Sequence, residues 1–253
     1  MPHTSPGRLV VLSGPSCAGK SPLAKALAKF HPDLFERLQP LVLYNSRDPR
    51  PGEQDGVDYH FRSRAQVAQL RSDNRYVVLD VRGDLQALDL HNLRELSSRG
   101  DVFFEGNPMV GHTILSHPSL ANFLKLSAFL APLSADEIAF LTAPGRNINL
   151  KDLVTDVMRR KLLRRTRRHK GELSLKDLEN IERRAGSAYS ELRLAYHFEN
   201  VIPNHDGEDS ENWDAFYYPL GDARKALAAF VALLEARPSP HIERWDAALL
   251  PEP

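Results

Sequence analysis

Leu9 to Leu12 form a short apolar run that stops at Ser13-Gly14-Pro15, the pattern of a buried strand running into a loop. Beyond it, Pro22 to Phe30 is rich in helix formers, with Leu23, Ala26, Leu27 and Phe30 at helical spacing. Further strand candidates follow at Leu41–Tyr44, Tyr76–Leu79, Val102–Phe104 and Asn200–Ile202, and Leu124–Leu130 is another apolar segment. Helical patterns fall near Ala65–Leu70 and over Leu88–Leu96, Asp152–Lys170, Leu175–His197 and Ala223–Ala236; Ser134-Ala135-Asp136-Glu137 reads as a capping-box start to another. Between them lie a polar, Pro/Gly-punctuated stretch, Asn45–Asp58, and an acidic stretch, His205–Asp214, which reads as a solvated loop. Ile242, Trp245 and Leu249 stand at helical spacing in the Pro-punctuated tail, a pattern for packing back on the core. Strands alternating with helices predict an α/β fold, a parallel central sheet flanked by helices on both faces.

Composition narrows this without changing it. The 253 residues are 42% hydrophobic and 26% charged, which excludes a disordered or fibrous chain. The 33 basic residues are balanced by 33 acidic ones, so any basic function must be local and general nucleic-acid binding is disfavoured. No apolar run approaches the roughly 20 residues needed to span a bilayer, and Met1 to Pro6 show no basic-then-apolar leader pattern. A single cysteine cannot form an internal disulfide. A cytoplasmic protein is the expectation.

One segment carries specific chemistry. Gly14-Pro15-Ser16-Cys17-Ala18-Gly19-Lys20-Ser21 fits G-x-x-x-x-G-K-[ST] at every fixed position, after a strand and before a helix. The glycines let backbone N–H groups turn inward around phosphate oxygens, and the following helix turns its positive end toward them. Lys20 is placed to reach the β- and γ-phosphates of ATP, and the Ser21 hydroxyl to help hold Mg²⁺. A P-loop NTPase fold follows. Cys17 inside the loop is either a small space-filler or a thiol whose pKa the loop lowers. Pro22 suits a first helical turn, where its missing N–H costs little.

Further motifs resemble one family. Asn45-Ser46-Arg47-Asp48-Pro49-Arg50-Pro51-Gly52-Glu53-Gln54-Asp55-Gly56-Val57-Asp58-Tyr59-His60-Phe61 resembles the guanylate kinase stretch T-T-R-x-P-R-x-G-E-x-x-G-x-x-Y-x-F. Phe129-Leu130-Ala131-Pro132-Leu133-Ser134 is similar to that family's F-I-A-P-P-S turn, Ile181 to Glu191 to its returning lid helix, and Val201-Ile202-Pro203-Asn204 to its last strand, V-I-V-N. The resemblance implies a core at 8–40, 101–150 and 196–237, a monophosphate-binding lobe at about 41–100, a helical lid at about 151–195, and a tail at 238–253 outside the family domain. It implies Arg47, Arg50 and Tyr59 on the acceptor's phosphate, and Arg184 together with Arg164 or Arg165 as lid arginines. Two arginines three residues apart on a shaped loop also offer forked donors that suit phosphate oxygens.

The chain departs from the family where guanine is read. With Gly83 aligned to the family's glycine, Val77 replaces its glutamate, and Gln86 and Leu88 replace its tyrosine and serine. Asp80 is the candidate replacement carboxylate after a shift of register, and Glu105 is the one acid in Phe103-Phe104-Glu105-Gly106, where the family has L-D-I-D-x-Q-G; both are expected among the acceptor-binding residues.

The densest charge cluster, Arg159 to Lys170, admits three readings: a lid whose arginines close over phosphates, a solvated helix face, or a nucleic-acid patch. Arg164, Arg165, Arg167 and Arg168 are all lid candidates. The expected activity is transfer of the γ-phosphoryl group of ATP, with Mg²⁺, to a nucleoside monophosphate, GMP or dGMP by default. Two alternatives stay open: a P-loop kinase for another phosphorylated acceptor such as a ribose phosphate, and a non-catalytic interaction module. Oligomeric state is unspecified.

Overall fold

The apolar run after Arg8 forms a strand with every residue buried, as expected for the centre of a parallel sheet covered on both faces. The structure, a computed structural model, describes residues 7–50 and 52–252. Met1–Pro6, which bear on the leader expectation, and Pro51 of the Pro/Gly-punctuated stretch lie outside the described residues.

In chain order the elements are β1 (Leu9–Ser13), α1 (Lys20–Phe30), α2 (Pro32–Phe35), β2 (Leu38–Pro40), β3 (Tyr44–Asn45), β4 (His60–Phe61), α3 (Arg64–Gln69), β5 (Tyr76–Val81) and β6 (Asp84–Asp89). They continue with α4 (Leu90–Ser97), β7 (Asp101–Gly106), α5 (Pro108–Ser116), β8 (Lys125–Ala131), α6 (Ala135–Thr142), α7 (Leu150–Lys170), α8 (Leu175–Gly186), α9 (Ala188–Leu192), β9 (Asn200–Pro203) and α10 (Gly221–Leu234).

The larger sheet has the order β2-β7-β1-β8-β9, with all pairings parallel. Alternation along β1 divides the core. Val10 and Leu12 face α1 and α10 with Leu27, Phe103, Leu130 and Phe230, whereas Leu9 and Val11 join Phe104, Phe129, Phe198 and Met158 on the other side. Parallel strands end on one edge, so the loops after β1, β7 and β9 emerge together, which is where ligands bind in open α/β sheets.

Several elements differ from the sequence expectations. Of the strand expected at Leu41–Tyr44, only Tyr44 lies in a strand. Leu38–Pro40 pairs in the large sheet, Tyr44–Asn45 pairs in a second sheet, and the buried Leu41 and Leu43 lie in the crossover between them. That second sheet, β4-β3-β6-β5, is mixed rather than parallel, and its β5–β6 hairpin takes the start of the expected helix at Leu88 into a strand ending at Asp89. Asp89 then caps α4 by accepting from the N–H groups of His91 and Asn92. The hairpin turns through Arg82 (φ 57°) and Gly83 (φ 87°), both left-handed, as a two-residue turn between twisted strands demands. Ser134 and Glu137 form the expected capping box on α6. The tail packs Trp245 and Leu250 onto the core without forming a helix, and Glu243 bridges Val201. Among the described residues, no helix is long and apolar enough to cross a membrane.

Candidate active site

The loop joining β1 to α1 is built from backbone geometry that few residues tolerate. Gly19 ends it at φ 102°, and a Cβ there would lie 2.5 Å from Asn204 Nδ2, so glycine is required on both counts. Cys17 also holds a left-handed φ of 69°. Asn204, fully buried at the end of β9, donates to Ala18 O at 2.8 Å and Asp206 O at 2.7 Å, tying the loop to the far side of the sheet. Lys20 folds back to donate to Gly14 O and Pro15 O, both at 2.8 Å, and its burial lowers the ammonium pKa. Gly19, at the N-cap of α1, has no side chain with which to cap the first turn.

Ser21 Oγ donates to Glu105 Oε1 at 2.7 Å, joining the start of α1 to the end of β7. Burial pushes the Glu105 carboxyl above its usual range, only partly offset by the Ser21 hydrogen bond and Lys20. A hydroxyl and a half-buried carboxylate beside a phosphate loop are the hard oxygen donors Mg²⁺ uses when it keeps waters and shares substrate phosphates, so these residues fit that ion. Among the described residues there is no group of three or more His, Cys, Asp or Glu side chains suited to a metal.

A cavity of about 1220 Å³ opens beside this loop. The loop contributes Gly14, Ser16, Cys17, Lys20 and Ser21; Arg50 and Tyr59 come from the second sheet's side, and Arg165 and Arg184 from α7 and α8. Pro15 and Ala18 act from behind through their carbonyls. Arg47 also lines the cavity, but its forked face is engaged by Glu53, at 2.7 Å for each contact, and its guanidinium lies 5.1 Å from the Tyr59 ring centre. Glu53 accepts from the Arg50 N–H as well, so this one carboxylate shapes the turn carrying both arginines. Burial pushes the Tyr59 phenol up, with nearby arginines opposing.

The cations around the cavity crowd one another. Burial, then the guanidiniums of Arg50, Arg165 and Arg82, lower Arg184 to about 9, and its Nε donates to Ser16 Oγ at 3.0 Å. Burial and Arg47 lower Arg50 to about 10. Both stay protonated at neutral pH, so the cavity is a positive concavity suited to a polyanion.

The structure separates the candidates from the basic segment. Arg165 and Arg168 line the cavity, whereas Arg164 turns to Asp209, with Nε 2.9 Å and a terminal nitrogen 2.7 Å from its Oδ2. Lys161 contacts the same aspartate, and Arg168 lies 3.6 Å from Glu211. The acidic stretch is therefore not a solvated loop: it packs on the phosphate loop and pairs with Lys161, Arg164 and Arg168 of α7. Asp80 is not brought to the cavity, because it sits at the hairpin tip and accepts from the Gly83 N–H at 2.9 Å. Glu105, the other acid expected on the acceptor, lines the cavity on the phosphate-loop side, where it accepts from Ser21. Burial, with help from Glu208 and Asp209, drives the Cys17 thiol up to about 12, which supports the space-filling reading over the reactive one.

Sequence reasoning did not single out Asn45, Arg82, Asp84 or Glu208, and gave Gln86 only as a lost tyrosine; all of them line the cavity. The register pairing Asn45 with Gln86 across β3 and β6 puts their amides together. An alternating pattern at 84–89 was the available signal.

A phosphate loop closing a five-stranded parallel sheet, a cationic cavity and a helical pair carrying arginines over it define a P-loop α/β protein of the nucleotide-kinase class. Comparisons with known proteins place it further. The family model for guanylate kinase matches residues 6–89. A guanylate kinase from Nocardia farcinica is 36% identical over 152 residues, covering 56% of this chain and 72% of that protein. One from Rhodococcus jostii is 29% identical over 200 residues, covering 79% and 81%. The chain belongs to the guanylate kinase family. Its match to other relatives is partial: a guanylate kinase from Synechococcus sp. is 46% identical over 69 residues, and the chain spans 30% of that protein's length. The crystal structure of guanylate kinase from Anaplasma phagocytophilum shares the fold, with a TM-score of 0.54 and 18% identity over 92% of this chain and 87% of that one.

Proposed function

We propose that this chain transfers the γ-phosphoryl group of ATP to a nucleoside monophosphate, GMP or dGMP by default, and that it does so in the cytoplasm. The observation that carries the reading is the convergence of Lys20, Arg47, Arg50, Arg165 and Arg184 on one cavity beside an intact phosphate loop. Phosphoryl transfer asks little covalent chemistry of a protein; positioning and charge stabilisation supply the rate. In this reading Lys20 and the loop N–H groups bind the donor's phosphates. Ser21 and Glu105 would hold Mg²⁺, which when bound would offset the negative charge of the donor's phosphates. Arg50 and Tyr59 grip the acceptor's phosphate, and Arg47, braced by Glu53, completes that side. Arg184 and Arg165 face the charge that develops during transfer. The segments 8–40, 101–150 and 196–237 act as core, 41–100 as acceptor lobe and 151–195 as lid.

One observation favours a second acceptor class. Asp80 lies at the exposed hairpin tip, so β5 brings no carboxylate to the cavity and the hairpin's one carboxylate there is Asp84 of β6, while the amides of Asn45 and Gln86 stand on its acceptor side. A P-loop kinase acting on a ribose phosphate fits that lining.

The test is ADP release from Mg-ATP with GMP, dGMP, AMP, CMP, UMP, dTMP, IMP or ribose 5-phosphate, with Lys20→Ala as background. Turnover with GMP or dGMP, lost in the variant, is the expected result. Turnover with ribose 5-phosphate alone transfers the assignment to the second reading. No ATP binding by calorimetry would remove both and leave a non-catalytic module.

A further inference from the structure

The acidic residues after β9 are held by contacts on nearly every side. Asp206 accepts from Ser210 Oγ, Asn212 Nδ2 and the Ala223 N–H at 2.8–3.1 Å, and its carbonyl accepts from Trp213 Nε1 at 2.8 Å. The His205 ring lies between Asp222 and Glu137. Gly207 packs so tightly that a Cβ would fall 2.1 Å from Cys17 O. Asp209 is gripped by Arg164 and Lys161. Glu208, in their midst, is different. Among the described residues, the one hydrogen bond its carboxylate accepts from another residue is from the Gly19 N–H, at 3.1 Å, and it lines the cavity with Lys20 and Arg165.

We infer that Glu208 is a donor-site residue of the proposed reaction: its carboxylate takes the place of a phosphate at the loop's N–H groups, yields to the donor's polyphosphate, and returns as the diphosphate product leaves. The inference rests on the reading that this loop binds the donor. The groups beside Glu208, a loop N–H, Lys20 and an arginine, are those that a phosphate loop offers to phosphate. Lys20, Arg165 and the Gly19 N–H outweigh burial and hold its carboxyl below the usual range, so it is an anion at neutral pH. With both flanking residues pinned, displacement needs only rotation of the Glu208 side chain, not opening of the loop. A polyphosphate carries several charges against one and offers more acceptor oxygens, so it wins the site, but its affinity is reduced by the contact it must break. The same competition shortens the stay of the product and keeps the donor KM high, where binding energy is not wasted on the ground state.

Calorimetric titration of pyrophosphate and of ADP into the full chain, Glu208→Gln, Glu208→Asp and Glu211→Gln tests this. Removing a charge-assisted hydrogen bond from the cradle is expected to tighten both ligands about tenfold in Glu208→Gln. The shorter carboxylate of Glu208→Asp no longer reaches Gly19 and gives a gain of the same kind, which keeps the test available if Glu208→Gln fails to fold. Glu211→Gln removes the same charge from the same loop at an exposed side chain and is expected to change either affinity less than twofold. In turnover, Glu208→Gln lowers the donor KM and strengthens inhibition by ADP, with the acceptor KM unmoved. Equal or weaker pyrophosphate binding by both Glu208 variants, or an equal gain in Glu211→Gln, overturns the inference alone. No pyrophosphate or ADP binding by any of the proteins overturns the donor-site reading and the inference with it.

Discussion

Replacing Arg82 by alanine removes the cation from a buried ion pair that joins three parts of the fold. Arg82 sits in the β5–β6 turn at a φ of 57°, a left-handed conformation that a non-glycine residue adopts at a cost of roughly 1 kcal/mol. Its guanidinium forks onto Glu191 of α9, with Nε and a terminal nitrogen each 2.6 Å from a carboxylate oxygen. Glu191 is 2% exposed and also accepts from Asn107 Nδ2 and Ser187 Oγ, both at 3.0 Å. Breaking such a pair from one side leaves an uncompensated charge and costs about 3–5 kcal/mol. The two remaining hydrogen bonds place the expected loss at the lower end, about 3 kcal/mol. At roughly 2–4 °C per kcal/mol for a chain of this size, the melting temperature falls by about 6–12 °C. Urea and thermal unfolding of Arg82→Ala, Glu191→Gln and the double variant measure it. Once Glu191 is neutral the arginine's absence matters less, so the double variant loses at least about 1 kcal/mol less than the sum of the singles. An Arg82→Ala loss below about 1 kcal/mol, or strict additivity, would refute the argument that this pair anchors the hairpin to α9.

Two further outcomes follow from the titrating groups. Cys17, its thiol driven up to about 12 by burial first and then Glu208 and Asp209, carries almost no thiolate at pH 8; the native chain should resist iodoacetamide there, while the urea-unfolded chain reacts as a free cysteine does. Comparable labelling of both states would contradict the buried placement. Asp89 titrates below its usual value because the Arg75 hydrogen bonds and the α4 N–H groups outweigh burial. Asp89→Ala should therefore cost about 1–2 kcal/mol at pH 7. A depressed folded-state pKa gives stability that is present above the unfolded value of about 4 and lost as pH falls through the folded one, so the gap between variant and parent narrows in acid. A gap that widens below pH 4 would reverse the sign.

The phosphate loop, its strand and its helix were legible in the sequence because their determinants are local. Glycines at forced φ values, a short apolar run and a helix-forming segment act over fewer than twenty-five residues. The capping box at Ser134 and the long helix ending at Lys170 were legible for the same reason. The crossing of Leu41–Leu43 between two sheets in place of a strand was not, since an apolar run looks alike whether it pairs or crosses over buried. Nor was the partner of each charge. Arg164 and Arg165 are neighbours in the chain, yet a helical step of about 100° sends one to Asp209 and the other into the cavity. Asp80 kept its carboxylate but lies at a hairpin tip, and Glu208 belonged to a stretch whose composition reads as solvated. The family resemblance, the phosphate loop and the order of most elements were thus readable from the chain alone. Which charges face the cavity and which neutralise one another follows from the packed fold, because that depends on side-chain direction and on contacts such as that of Glu208 with Gly19, 189 positions apart.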